Sequence, residues 1–204
     1  MAYDIIYADF PWPYTFFGTA KITYEMMSEE EIANFDFSPF MSKDCILFSW
    51  ATGPKMDIAF RCGEIWKEKY GLHYQGIPYI WIKTKKDGVT PIGASGPRPR
   101  LVKPLSEFIM AFSTTPKKRT FPLLTEKQVQ TVFYPDTEAD FDFDSIPEEY
   151  FDSVPVLAPK QTLHSRKPQV FRDNIVELLG DRPRVELFSR EQVPGWDAWG
   201  FEAA

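Results

Sequence analysis

An acid, a proline-locked turn and a large flat aromatic stand together at Asp9-Phe10-Pro11-Trp12. An ionised Asp only accepts hydrogen bonds, and Trp offers a ring face on which a flat heterocycle can stack. An acceptor beside a stacking plane suits the grip of a flipped-out base by its exocyclic amino group. Pro11 fixes its own φ and pushes Phe10 towards extended geometry, so the Phe10 carbonyl is held in a set direction. With one N–H on Asp9 and the other on that carbonyl, an amino nitrogen keeps its electron pair and can attack an electrophilic methyl. No general base with a shifted pKa is required, because the proton can leave after transfer. The same four residues also suit an ordinary turn, with Asp9 capping a backbone amide and Trp12 in the core.

Two further stretches carry polar groups at places where chemistry concentrates. Lys167, in His164-Ser165-Arg166-Lys167-Pro168, lies just ahead of an expected helix. There its charge adds to the positive end of the helix dipole and to unpaired amides, which suits a carboxylate or phosphate; a solvated lysine at a helix start is the plain alternative. Phe188 and Arg190, in Glu186-Leu187-Phe188-Ser189-Arg190, leave the end of an expected strand, where a cofactor's rings and hydroxyls could be met. Core and surface roles are the default for such residues. No Gly-x-Gly-x-x-Gly and no Walker A loop occurs, so neither supports a dinucleotide or a nucleoside triphosphate. Two histidines and two cysteines without ligand spacing give no case for a metal.

These residues need a scaffold. Residues 3–8 read as a buried strand that delivers Asp9. Ser28-Glu29-Glu30-Glu31 is a capping box opening a short helix to about residue 34. Strands are expected over 45–50, 77–83, 106–112 and 184–188, and helices over 55–70 and 170–179, the last with Pro168 near its first turn and Gly180 at its end. Strands alternating with helices imply a mainly parallel sheet covered on both faces, and in such sheets ligands bind at the carboxyl ends of the strands. The connection over 113–162 is long for a compact domain. We read 114–152 as an insertion into a single domain spanning 1–204, with a short returning strand near 154–157. The Asp140-Phe141-Asp142-Phe143-Asp144 alternation suits an edge strand.

The chain has 204 residues, 44% of them hydrophobic and 16% aromatic, which suits a single globular domain with a sizeable core. Cys45 and Cys62 read as reduced core thiols, no run is long and apolar enough to span a bilayer, and the expected location is the cytoplasm of a bacterium or of a phage-infected host. The net charge of −6 argues by itself against a nucleic-acid binder, but it averages two opposed regions. Residues 83–119 carry nine bases against two acids, and residues 136–152 carry eight acids and no base. The Gly- and Pro-rich part of the basic region, with Arg98, Arg100 and Lys103, suits contact with phosphates. The acidic run is a solvated loop, a mimic of nucleic acid or a site for a basic partner.

Taken in order, six stretches resemble one family. They are Ala8-Asp9-Phe10-Pro11-Trp12, Tyr24 through Ile32, Phe48-Ser49-Trp50-Ala51-Thr52-Gly53, Trp81-Ile82-Lys83-Thr84, His164 through Pro168, and Glu186 through Arg190 with the Gly195-Trp196 to Trp199-Gly200 tail. The family is the S-adenosylmethionine-dependent adenine methyltransferases with an Asp-Pro-Pro-Trp motif. It includes the catalytic subunit of the eukaryotic mRNA adenosine methyltransferase and many bacterial and phage relatives. The resemblance implies an α/β, Rossmann-like methyltransferase fold in circularly permuted order, with the catalytic strand first. It implies transfer of a methyl group from S-adenosylmethionine to N6 of adenine in nucleic acid; a compact stand-alone chain favours DNA over RNA. Asp9 and the Phe10 carbonyl, with Pro11 and Trp12, would form the catalytic turn. Tyr24 would lie over the target base and Asp9 would also face the cofactor. Lys167 would hold its methionine carboxylate, Phe188 and Arg190 its nucleoside part, and Phe201 and Glu202 would occupy the positions of its polar ribose or adenine contacts. Phe10 stands where the family has Pro, and Phe201 where it often has Asn. Those two departures motivate a second expectation, a non-catalytic subunit that binds nucleic acid or a partner. Methylation of a cytosine amino group uses the same physics. The sequence leaves a homodimer or a partner subunit open.

Overall fold

The computed structural model describes residues 2–13, 25–84, 90, 106–115, 130–131, 157–159 and 167–200. In chain order the elements are β1 (Tyr3–Ala8), α1 (Glu29–Ala33), β2 (Met41–Thr52), a 3-10 turn at Gly53–Lys55, α2 (Met56–Tyr70), β3 (His73–Thr84), β4 (Ser106–Ser113), β5 (Gln130–Thr131), β6 (Leu157–Pro159), α3 (Gln169–Leu179), β7 (Arg184–Leu187) and β8 (Asp197–Trp199). They form one sheet in the order β5-β3-β4-β2-β1-β7-β8, with β6 also paired to β3. β1 lies parallel to both β2 and β7, and β8 is parallel to β7. β4 is antiparallel to β2 and to β3. The expected mainly parallel, helix-covered sheet is therefore present, with one antiparallel strand set between parallel ones, consistent with a Rossmann-like methyltransferase fold. The capping box holds: the Ser28 hydroxyl accepts from the Glu31 amide at 3.2 Å and the Glu31 carboxylate accepts from the Ser28 amide at 2.7 Å.

Alternation along the central strand sorts its side chains to two faces. Ile6 and Ala8 join a core with Phe10, Trp12, Phe37, Trp66 and Phe112 beneath α1 and α2. Ile5 and Tyr7 join another with Trp50, Trp81, Phe171 and Ile175 beneath α3. Burial on both faces explains why these strands read as continuous apolar runs rather than alternating ones.

The register decides what meets what. Ala8 is level with Ser49 on β2 and with Leu187 on β7, so β1, β2 and β7 end together. Because β4 runs the other way, its beginning lies at that same edge: Glu107 pairs with Thr52 near the end of β2 and with Trp81 near the end of β3. α3 precedes β7, so its start also lies there. Asp9, Glu107, Lys83, Lys167 and Phe188 are thus gathered at one rim of the sheet. The expected basic loop, most of the 114–152 insertion and the 140–144 alternation lie outside the described residues. β6 at Leu157–Pro159 falls next to the strand expected near 154–157.

Candidate active site

A cleft opens at this rim, lined by Asp9, Lys167, Arg172, Glu186, Phe188, Arg190 and Glu191. Asp9 follows β1 and its amide donates to the Leu187 carbonyl at 3.4 Å. Its Oδ2 accepts from Lys167 Nζ at 2.7 Å. Lys167 Nζ also lies 3.1 Å from Glu107 Oε2 and 5.2 Å from the centre of the Trp50 ring. Glu107 Oε1 in turn accepts from Lys83, whose ammonium lies 4.6 Å from the Trp81 ring centre. Four charges therefore alternate along the rim as Lys83, Glu107, Lys167, Asp9. Lys167 is buried, its side chain only 6% exposed, while the Asp9 side chain keeps 20%. Anions on two sides are what make a buried ammonium tolerable.

Burial is the largest influence on Lys167, Glu107 and Asp9. It works to lower the Lys167 pKa, but Asp9 and Glu107 outweigh it and the ammonium is held charged well above its ordinary range. Burial works to raise the Glu107 carboxyl, but Lys167 and Lys83 bring it down to about 2. For Asp9, burial wins: with the nearby Glu107 charge it lifts the carboxyl above its ordinary value, against the pull of Lys167.

The turn after β1 is braced from several sides. The Phe10 carbonyl accepts from the Trp12 amide at 2.9 Å, and the Pro11 carbonyl accepts from the Met27 amide at 2.9 Å. A carbonyl carries two lone pairs, so that contact uses half the capacity of the Phe10 oxygen. The Phe10 ring does not enter the cleft. It is 2% exposed and stacks on Trp66, centroids 5.5 Å apart and planes at 24°, beside Phe188 at 4.8 Å. The ring turns inward because five aromatic neighbours, Trp12, Phe35, Phe37, Trp66 and Phe188, give it apolar burial there. Trp12 is likewise placed in the core rather than as an open platform for a base. It is 3% exposed, and its indole N–H donates to the Trp50 carbonyl at 3.0 Å, which satisfies the one polar atom that burial would strand.

On the other wall, Phe188 has φ 61, the only positive φ outside glycine among the described residues. That left-handed turn swings the chain off β7 towards the cleft. Gly200 makes room for it: a Cβ there would lie 2.6 Å from the Ser189 backbone nitrogen and oxygen, and the Ser189 amide donates to the Trp199 carbonyl at 3.1 Å. In the wall of the cleft, Arg172 and Glu186 form a buried two-pronged pair with both contacts at 2.7 Å.

The structure thus brings Asp9, Lys167, Phe188 and Arg190 together at one cleft, with Phe10 and Pro11 in the turn that follows Asp9. Tyr24, Arg98, Arg100, Lys103, Phe201 and Glu202 lie outside the described residues. Glu107, Lys83, Arg172 and Glu186 are the members that sequence reasoning did not single out as site residues. A carboxylate at the head of the apolar run Phe108-Ile109-Met110-Ala111-Phe112 was the available signal for Glu107. No group of three or more metal-ligating side chains occurs among the described residues, and no described helix is long and apolar enough to cross a membrane.

The MT-A70 family model matches residues 3–202. Over 221 aligned positions the chain is 26% identical to "Type II methyltransferase M.MunI" of Mycoplasma sp, covering 98% of this chain and 77% of that protein. It is 25% identical over 207 positions to "N(6)-adenine-specific methyltransferase METTL4" of Homo sapiens, covering 98% of this chain and 37% of that one.

Proposed function

The chain belongs to the MT-A70 family and is an adenine N6-methyltransferase, and we propose that it acts on DNA, with Asp9 and the Phe10 carbonyl holding the target amino group. DNA rather than RNA is in keeping with the type II methyltransferase among its relatives. The observation that carries the site assignment is the Asp9–Lys167 pair at the joint end of β1 and β7, facing Phe188 and Arg190 across one cleft.

The donor set fits S-adenosylmethionine, the methyl donor the family implies. Its amino-acid end needs an anion for the ammonium and a cation for the carboxylate, and Asp9 and Lys167 supply one of each. Its nucleoside end needs an apolar face and hydrogen-bond donors, and Phe188 and Arg190 line that side of the cleft. Phe201 and Glu202 follow Gly200 and would complete that end. When bound, the cofactor supplies an electrophilic methyl on a sulfonium.

The protein's share of the chemistry is positional. The Asp9 carboxylate accepts one N–H of the adenine amino group and the second lone pair of the Phe10 carbonyl accepts the other. Two acceptors on one nitrogen hold its electron pair towards the cleft instead of in the ring. The nitrogen–carbon bond would form as the methyl's bond to sulfur breaks and leaves a neutral thioether, after which the proton on nitrogen leaves to solvent. Orientation of this kind accounts for much of such a rate enhancement. Trp12 and Pro11 brace the turn, Tyr24 closes over the base, and Arg98, Arg100 and Lys103 contact phosphates. The whole chain acts as one methyltransferase domain.

Burial of the Phe10 ring speaks against the non-catalytic alternative, since the carbonyl role is independent of that side chain. Incubating Asp9→Ala with tritiated cofactor and adenine-containing DNA tests the assignment. Methyl transfer is expected to vanish, while cofactor binding by calorimetry is weakened by loss of the anion but stays measurable because Lys167, Phe188 and Arg190 remain; undiminished transfer would sink the assignment. Sequencing DNA from cells that express the chain reads base and sequence context together.

A further inference from the structure

Arg172 spends all three of its nitrogens inside the protein. Nε and Nη2 donate to Glu186 Oε2 and Oε1, each at 2.7 Å, and Nη1 donates to the Lys167 carbonyl at 3.2 Å, with the Gln169 Oε1 at 3.4 Å. The Arg172 and Glu186 side chains are 3% and 7% exposed, so both charges have left water. Buried ion pairs of this kind add little net stability compared with an apolar filling. What the pair adds is geometry. α3 starts at Gln169 behind Pro168, and no side chain caps that start. The peptide that carries Lys167 into the cleft is instead tied, through one guanidinium, to the strand that carries Phe188. The planar fork can make both ties at once, and an ammonium cannot.

We infer that Arg172 is a positioning residue: by joining the Lys167 carbonyl to Glu186 on β7, it sets Lys167 at the reach required by the cofactor's carboxylate. This rests on the reading that Lys167 binds that carboxylate, so the experiment tests the two separately. The probes are S-adenosylhomocysteine and 5′-methylthioadenosine, which share the nucleoside and the thioether but differ in the amino-acid end. Calorimetry of Arg172→Lys is expected to show about tenfold weaker binding of S-adenosylhomocysteine, the factor one charge-assisted hydrogen bond carries, and less than about threefold change for 5′-methylthioadenosine. The double variant Arg172→Met with Glu186→Leu leaves no unpaired buried charge and is expected to fold. It should show the same selective loss, which a residue that merely supports the fold would not produce. Equal loss of both ligands, or no loss of either, in a variant with a cooperative melt overturns the inference. Lys167→Met is the parallel arm. If it weakens S-adenosylhomocysteine alone while the Arg172 variants do not, the inference fails and the carboxylate assignment stands. If Lys167→Met leaves S-adenosylhomocysteine binding unchanged, the carboxylate assignment fails and takes the inference with it.

Discussion

Phe10 and Trp66 stack with their ring centroids 5.5 Å apart and their planes at 24°. The motif residue that departs most from the family pattern therefore belongs to the core between β1 and α2, not to the cleft. Its backbone serves the site and its side chain serves the fold. The two functions can be separated by mutation.

Phe10→Ala is expected to cost about 3–5 kcal/mol of stability through lost burial and the cavity left behind, read as a fall in the urea midpoint at constant slope. Phe10→Leu keeps much of the volume and should cost less, while its methyl transfer stays within a few-fold of the parent because the carbonyl is unchanged. Loss of transfer in a stable Phe10→Leu protein would show that the ring itself acts in the site.

Glu107 ties Lys167 to Lys83, and its carboxyl is held at about 2 against an ordinary 4.5. A carboxyl depressed on folding contributes stability that is fully present above its unfolded value and is lost as pH falls through the folded one. The contribution should be complete above pH 4.5 and gone near pH 2, with a size of roughly 3 kcal/mol. Glu107→Gln should therefore be markedly less stable than the parent at pH 7, and the gap in urea midpoints should close as pH drops from 4.5 towards 2. A gap independent of pH would remove the charge from the explanation.

Gly200 faces backbone rather than a movable side chain, 2.6 Å from where a Cβ would meet Ser189. Gly200→Ala must push the Phe188–Ser189 turn away from β8. A melting temperature lowered by several degrees is expected, about 2 kcal/mol or more for a strained, overpacked site, together with weaker binding of both nucleoside ligands. A variant that binds and melts like the parent would show that this turn yields freely.

Burial, the main cause, pushes the Cys45 thiol up to about 12 and the Cys62 thiol up to about 11. Thiolate is the reactive form, so at pH 8 only about one Cys62 in a thousand is poised to react by that measure. A chromogenic disulfide should titrate neither thiol rapidly in the native protein and both at once in denaturant. A fast native reaction would place one of them at the surface.

Much of this was legible before any coordinates. β1, α2, β4 and α3 declared themselves because their apolar periodicity or continuity runs over several turns or residues, and Ser28 and Glu31 because a capping box is local. β8 and β5, three and two residues long, are too short to carry a period, and only pairing with a neighbour makes them strands. The antiparallel sense of β4 was not readable, since strand direction is set by which neighbours accept it. That direction is what brings Glu107 to the rim, so the Lys83–Glu107–Lys167–Asp9 series was out of reach for the same reason. Asp9, Lys167 and Phe188 were found because each sits at the end of a recognisable element. For Trp12 the sequence left both a stacking face and a core position open, because composition shows that an aromatic is present but not which way it faces; the ring lies in the core.

The central position of β1 has a consequence for biosynthesis. Lys167 is 158 residues beyond Asp9, and β7, which closes the open side of β1, comes later still. At translation speeds of about 5–20 residues per second, that interval lasts roughly 10–30 s. During it the nascent chain holds β1 paired on one flank only, with a row of unused amides and carbonyls on the other. The reaction centre thus exists only once the residues from Lys167 to Phe188 have been made, and a shorter nascent chain offers chaperones an edge but no active site.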